Sequence, residues 1–267
     1  MRALPALSFL TQLAAAAPAP AASALVQDPL GSPMWQFHRR RLFGEAPVVF
    51  DGGVKVRFPM IAEDQHVFPV EVDARALAGV TRMIVLADLD PIPYPLDYRP
   101  LHAEPFVATR IKLDQRTPVR GAALAADGTW HLSGGWVDAA GGGCSAPPAS
   151  RVKGDWAQHL GEMRGIRRPA GAGATRLRIA IRHPMDTGLV DGIPAYNLET
   201  LTVTDTKGVS LADLGIAGSV SEDPAFTLIV GAPASEALTV TARDSNGLVF
   251  RGTLAADPGA TGGGQGS

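Results

Sequence analysis

One cysteine, Cys144, ends the run Gly141-Gly142-Gly143 and is followed by Ser145-Ala146-Pro147-Pro148. Three glycines remove the side chains on one flank, so the segment reads as a thin flexible arm presenting an accessible thiol. Nucleophilic and redox chemistry at sulfur runs through the thiolate, which needs exposure and a lowered pKa. Nothing adjacent in the chain supplies the second requirement, because Asp138 is acidic and Arg151 and Lys153 are several residues away. A thiol of this kind reacts when presented to a partner and is not a self-sufficient catalyst.

Other residue types that could do chemistry lack a productive pattern. His38, His66, His102, His131, His159 and His183 show no ligand spacing on one helix, and no second cysteine exists to complete a zinc site. His183 with Met185 reads as a strand-end His-Pro turn in preference to a soft-metal site. Glu63-Asp64 and Asp88 with Asp90 read as turn carboxylates, not as an acid/base pair. No nucleophile elbow is present, and Gly52-Gly53 is a turn, not a phosphate loop. No catalytic residue, metal ligand or cofactor is therefore expected.

The elements that must position the arm are strands. Gly and Pro are abundant, at 30 and 22 of 267 residues, which suits short strands joined by turns. Val54, Val56 and Phe58 alternate with Lys55 and Arg57, and Val70 and Val72 flank Glu71. Thr81 to Leu89 is a more continuous apolar strand, suited to a sandwich core, and Phe106 to Leu113 alternates again. Gly121 to Ala125 and Thr129 to Leu132 bracket Asp127-Gly128, a hairpin signal. The pattern breaks at Gly134-Gly135. Asp155 to Gly165 accommodates a short helical turn, and Arg167 to Ala174 reads as a Pro/Gly/Ala linker. Strand alternation resumes at Leu177, Ile179 and Ile181, then at Leu201 and Val203, then at Phe226, Leu228 and Val230. Leu238, Val240 and Ala242 pass through Asn246-Gly247 into Leu248 and Phe250, a second hairpin. Ahead of all the strands, Asp28 to Glu45 reads as a short helix with its approach. Ser32 is its cap, Pro33 its first position, and Arg39, Arg40 and Arg41 form a solvated face.

Compartment follows from the N-terminus. Arg2, the mostly apolar stretch Ala3 to Ala17 and the small residues Ala22-Ser23-Ala24 read as a cleavable export signal. Beyond Leu25 no apolar run is long enough to cross a bilayer. A formal charge of -2 gives no reason to expect a nucleic-acid partner. Extracytoplasmic cysteines usually pair, so a lone one points to a reactive thiol or an intermolecular crosslink. The expected divisions are a signal over 1–24, a β domain over 25–140, the arm and linker over 141–174, a second β domain over 175–256, and a tail over 257–267.

Specific stretches carry a family resemblance. Val70-Glu71-Val72, Ile84 to Asp90 followed by Pro91, Ala103 to Leu113 and Gly142-Gly143-Cys144 resemble SoxY, the sulfur-compound carrier subunit of periplasmic thiosulfate oxidation. Ile181-Arg182-His183-Pro184-Met185-Asp186-Thr187-Gly188, Ile193-Pro194-Ala195-Tyr196 and Ser221 to Phe226 resemble SoxZ. The fused order is similar to SoxYZ-like carriers associated with quinoprotein dehydrogenases.

The resemblance implies an all-β chain of two immunoglobulin-like antiparallel sandwiches, with Cys144 as the covalent attachment point and Gly141, Gly142 and Gly143 as a flexible arm. It also implies sulfur-compound-processing periplasmic enzymes as partners. Ser145 and the chain beyond it depart from the family pattern, in which the arm is a free C-terminal tip; an arm tethered at both ends presents a loop. Two other roles remain compatible with the residues. One is an accessory module docking a dehydrogenase, with the thiol unused. The other is an autonomous thiol enzyme, which lacks an accompanying base or oxyanion constellation.

Overall fold

The structure, a computed structural model, describes residues 27–147, 149, 151, 154–171 and 173–256. The expected export signal and tail lie outside the described residues. Among those described, the first half contributes eight strands: β1 (Val48–Phe50), β2 (Lys55–Arg57), β3 (Phe68–Asp73), β4 (Arg82–Ala87), β5 (Leu96–Arg99), β6 (Ala103–Ile111), β7 (Thr117–Leu124) and β8 (Trp130–Val137). The second half contributes β9 (Met163–Pro169), β10 (Thr175–Ile181), β11 (Leu198–Thr204), β12 (Ser210–Ile216), β13 (Ala225–Val230), β14 (Leu238–Asp244) and β15 (Val249–Leu254). The chain is all-β with a short N-terminal helix, as expected.

Two sheets hold these strands. One has nine, in the order β1-β8-β7-β4-β5-β12-β11-β14-β15, and the other six, in the order β2-β3-β6-β13-β10-β9. Neighbours are antiparallel except β1 and β8, which run parallel. Each sheet passes from one half of the chain to the other. Tyr98 of β5 lies opposite Leu214 of β12, and Val107 of β6 lies opposite Leu228 of β13. One hydrophobic cluster accordingly contains Val85, Ile111, Leu177, Leu201, Phe226 and Val240. Backbone pairing and apolar burial both cross the junction.

Met83 to Ala87 of β4 reads as unbroken apolar because both faces of the strand are covered. Met83 and Val85 enter the shared core, while Ile84 and Leu86 join Trp35, Phe43, Trp130 and Leu132 in a second cluster. The N-terminal helix supplies that cover through an α-turn over Trp35–His38 that continues as a π-turn over Arg39–Phe43. It is shorter than the expected 28–45 span, and Ser32 does not cap it, since the Ser32 hydroxyl is buried without a hydrogen-bond partner. Asp28 organises the approach instead, accepting the Leu30 and Ser32 amides and forking with the buried Arg120. Arg39 is likewise buried, and donates to the Gly44 carbonyl, so the arginine run is not uniformly solvated.

Both expected hairpins form, with Gly128 and Gly247 each at φ 84°. Three expectations are corrected. Gly134-Gly135 does not break the pattern, because β8 runs through it; a Cβ on Gly134 would lie 2.3 Å from the Val119 carbonyl oxygen, so glycine permits close approach to β7. The supposed linker at 167–174 begins as β9, paired along its length with β10. Its positions are mostly exposed, because it is the edge of the six-stranded sheet, where charge replaces alternation. Strands β1, β5 and β12 also form without having been expected. The helical turn expected in 155–165 is a 3-10 turn at Trp156–Gln158. No helix among the described residues is long and apolar enough to cross a membrane.

Candidate functional site

The arm leaves β8 at Val137 and folds back on the segment that follows β6. Gly141 and Gly142 take left-handed backbone at φ 106° and 91°, reversing the chain. Gly143 donates its amide to the Leu113 carbonyl at 3.1 Å. A side chain there is excluded: a Cβ would lie 2.3 Å from the Gln65 carbonyl oxygen, 2.4 Å from that of Leu113 and 2.7 Å from the Leu113 nitrogen. The Ala146 amide closes the loop on the Gly142 carbonyl at 2.9 Å.

This places Cys144 inside the protein, with 1% of its surface exposed. The accessible thiol expected from the flanking glycines is therefore corrected; in this structure the arm is docked. Asp114 anchors it through one oxygen, Oδ1, which accepts the Cys144 amide at 3.0 Å, the Ser145 amide at 3.1 Å and the Ser145 hydroxyl at 2.9 Å. The second half closes over the cysteine, as the Thr187 hydroxyl donates to the Cys144 carbonyl at 2.6 Å.

Two further groups set the electrostatics. Lys112, just beyond the end of β6, is buried, and its ammonium donates to the Met185 carbonyl and, at 2.9 Å, to that of Gly218. Burial pushes Lys112 down to about 8, opposed by the charges of Asp186 and Glu222. Asp90 is 5% exposed; its Oδ1 accepts the Asp114 amide at 2.7 Å while its Oδ2 has no hydrogen-bond partner. Burial raises its carboxyl to about 7, and the Asp114 charge acts in the same direction. Burial first, and then the Asp90 charge, raise the Cys144 thiol to about 12, with Lys112 opposing. The docked sulfur is thus a neutral thiol, and thiolate chemistry is suppressed.

The His183–Gly188 turn does the clamping. Met185 is buried at φ 52°, an unusual conformation for a side-chain-bearing residue, and this aims its carbonyl at Lys112. Its amide donates to His183 Nδ1 at 3.1 Å, so in the neutral ring the proton sits on Nε2, 3.8 Å from an Asp244 oxygen. Burial lowers His183 to about 4, and Tyr196 donates to the same Asp244 oxygen at 2.8 Å. Asp186 pairs with Arg151, which stacks on Trp156 at 4.0 Å and fastens the chain after the arm. His183 belongs to this scaffold, in keeping with a strand-end turn.

The structure brings together Cys144 and its three glycines and adds Asp90, Lys112, Asp114 and Thr187, none of which the sequence reading assigned to the site. Asp88 and Asp90 lie in the turn after β4, as expected, and both are buried there, Asp88 against Arg120. Lys112 carried the clearest available signal, a lysine among apolar residues in Ile111-Lys112-Leu113. Among the described residues, no group of three or more His, Cys, Asp or Glu could hold a metal ion.

The model of the family "Sulfur oxidation protein SoxY" matches residues 39–144, ending on the cysteine, and that of "Sulphur oxidation protein SoxZ" matches 163–255, beginning with β9. Among solved structures, the sulfur carrier protein SoxY from Chlorobium limicola f thiosulfatophilum is similar at 19% identity, covering 40% of this chain and 96% of that one, with a TM-score of 0.36. A marsupial T cell receptor is similar at 8% identity, covering 76% and 95%, with a TM-score of 0.25. A β-glycosidase from Bacteroides vulgatus is similar at 9% identity over 79% of this chain and 25% of that one, with a TM-score of 0.21. No curated protein matches the chain. With both family domains present in one polypeptide, in the order SoxY then SoxZ, the chain is a fused SoxYZ-like protein.

Proposed function

We propose that this protein is an exported carrier that holds a sulfur-containing intermediate covalently on Cys144 while partner enzymes of the periplasm process it. The observation that carries the reading is the position of the single cysteine: it closes the SoxY-family match, on three glycines, in a chain with no other thiol. For thiosulfate, loading forms an S–S bond between Sγ and the outer sulfur of the anion. The thiol proton is released, and two electrons pass to an acceptor that a partner enzyme supplies. Exchange with a disulfide reaches a related adduct without net oxidation. The protein itself turns nothing over. Arg2, the apolar stretch Ala3 to Ala17 and Ala22-Ser23-Ala24, read as an export signal, support a site of action outside the cytoplasm, and a quinoprotein dehydrogenase system is the proposed setting.

Intact mass of the mature chain after incubation with thiosulfate and a mild oxidant tests this. The expected result is a gain of one S2O3 unit that reductant removes and that Cys144→Ala abolishes. No reductant-sensitive gain at Cys144, in the native chain or after a urea pulse, sinks the carrier reading.

Burial of Cys144 favours a second reading, in which the paired sheets form an accessory module for a periplasmic dehydrogenase and the thiol is unused. Full function of a Cys144→Ala variant in cells would select it.

A further inference from the structure

We propose that Thr187, Asp114 and Lys112 are positioning residues that latch the Cys144 arm in a closed seat between the two halves of the chain, so that the thiol is presented only when the seat opens. The use of the latch in transport rests on the carrier reading; the latch itself does not.

Glycines that served reach alone would leave open space around them when the arm is at rest. Gly143 has none, because three backbone atoms of Gln65 and Leu113 occupy the place of its Cβ. Gly141 is also confined, with the Asp114 carbonyl oxygen 2.9 Å from its Cβ position. The third glycine is thus fitted to a cavity of its own shape. Hydrogen bonds then fix the cysteine from both directions, since Asp114 takes its amide from the first half and Thr187 gives a proton to its carbonyl from the second. An ammonium has three donors. Lys112 spends two on the carbonyls of Met185 and Gly218, both in the second half, so the strand beneath the arm is tied to the turn above it. Asp90, which accepts the Asp114 amide, adds a buried carboxyl oxygen without a hydrogen-bond partner, a group that water or a partner could satisfy once the seat opens. The His-Pro-Met-Asp-Thr-Gly stretch of the second half has one consistent task in this arrangement, which is to hold the arm of the first.

Alkylation of Cys144 by iodoacetamide in the full mature chain, followed by intact mass, reads the latch directly. The folded chain should react at least about a hundredfold more slowly than the same chain in urea, because the reagent meets the thiol only during local opening. Thr187→Val should speed the folded reaction by about three- to tenfold, the scale of one lost hydrogen bond, with Tm within a few degrees of wild type. Thr187→Ser should restore slow reaction, which a merely space-filling role of the threonine would not explain. Reaction of the folded wild type at the urea rate, or no acceleration in Thr187→Val, overturns the proposal. Should Thr187→Val fail to fold, hydrogen exchange at the Cys144 and Ser145 amides of wild type decides: slow exchange supports the latch, and exchange at the rate of an unprotected peptide refutes it. A protected thiol that takes up no sulfur adduct after a urea pulse would leave the latch standing and remove the carrier.

Discussion

Asp90 keeps its proton up to about pH 7, well past the pH at which an exposed aspartate gives it up, because burial raises its carboxyl and the Asp114 charge acts in the same direction. Between about pH 4 and 7 the folded chain therefore binds a proton that the unfolded chain lacks, and stability falls as pH rises, by at most ~1.4 kcal/mol per pH unit. His183 acts in the opposite sense. Its pKa is lowered from 6.5 to about 4, so in that interval the unfolded chain binds the extra proton and stability rises with pH. The two slopes oppose one another over most of the same window. Asp28 and Asp73, both lowered from 3.8, give stability that is complete above that value and is lost only at lower pH. Asp90→Asn keeps an acceptor for the Asp114 amide but removes one slope, so its urea midpoint should climb from about pH 4 to 6.5 while that of wild type stays nearly level. A flat variant would refute the assignment of the proton to Asp90. Arg120 presents a simpler account. It is fully buried and forks to Asp88 at 2.9 to 3.0 Å and to Asp28 at 2.8 Å. Arg120→Met would strand two carboxylates, one of them completely enclosed, and should lower urea stability by about 3–5 kcal/mol. A loss below about 1 kcal/mol would mean that the helix approach detaches and hydrates Asp28 and Asp88 instead.

Along the arm, adjacent glycines do different jobs. Gly142 at φ 91° has nothing nearer its Cβ position than Ala146 Cβ at 3.9 Å, so Gly142→Ala strains the backbone by about 1 kcal/mol and leaves the seat filled. Gly143→Ala drives a methyl into the Gln65 and Leu113 carbonyls and should unseat the loop. Iodoacetamide labelling of Cys144 should therefore accelerate by at least about tenfold in Gly143→Ala and by no more than about fivefold in Gly142→Ala. The reverse order would show that the turn, and not the seat, holds the thiol. This contrast also marks what was legible beforehand. Hairpins at Asp127-Gly128 and Asn246-Gly247 could be read because the turn chemistry is local, and β4 because its cover makes every position from Met83 to Ala87 apolar. β9 could not, since Met-Arg-Gly-Ile-Arg-Arg-Pro is an edge strand whose Arg164 and Arg168 are exposed and whose glycine makes room for Leu254. Burial of Cys144 was illegible for a related reason. The groups that seat the arm come from Gln65 and Leu113 at Gly143 and from Asp114 and Thr187 at Cys144, and Thr187 lies 43 residues downstream. Local composition reports how freely a segment can bend, but not what it bends onto.

At the scale of the molecule, two family domains have become a single structural unit. Residues from β5 and β12 pair over Leu96 to Arg99 and Asp213 to Ile216, and β6 pairs with β13, so backbone hydrogen bonds run from half to half in both sheets. Fusion keeps the partners of those bonds at high effective concentration, and it also keeps the arm next to the turn that clamps it. Independent sandwiches joined by a linker would unfold separately, whereas a shared core binds the two halves into one cooperative transition. Leu214 tests the difference, because it is 2% exposed, lies on β12 in the second half and pairs with Tyr98 of the first. Leu214→Ala should cost about 2–4 kcal/mol. If the unit is one, hydrogen exchange in urea will show peptides from β4 and from β14 losing protection together, at the same lowered denaturant concentration. If the halves are independent, β14 will open early while β4 keeps its wild-type midpoint. In the cooperative case the latch inherits its stiffness from both sheets at once, because Lys112 lies just past β6 and Thr187 between β10 and β11.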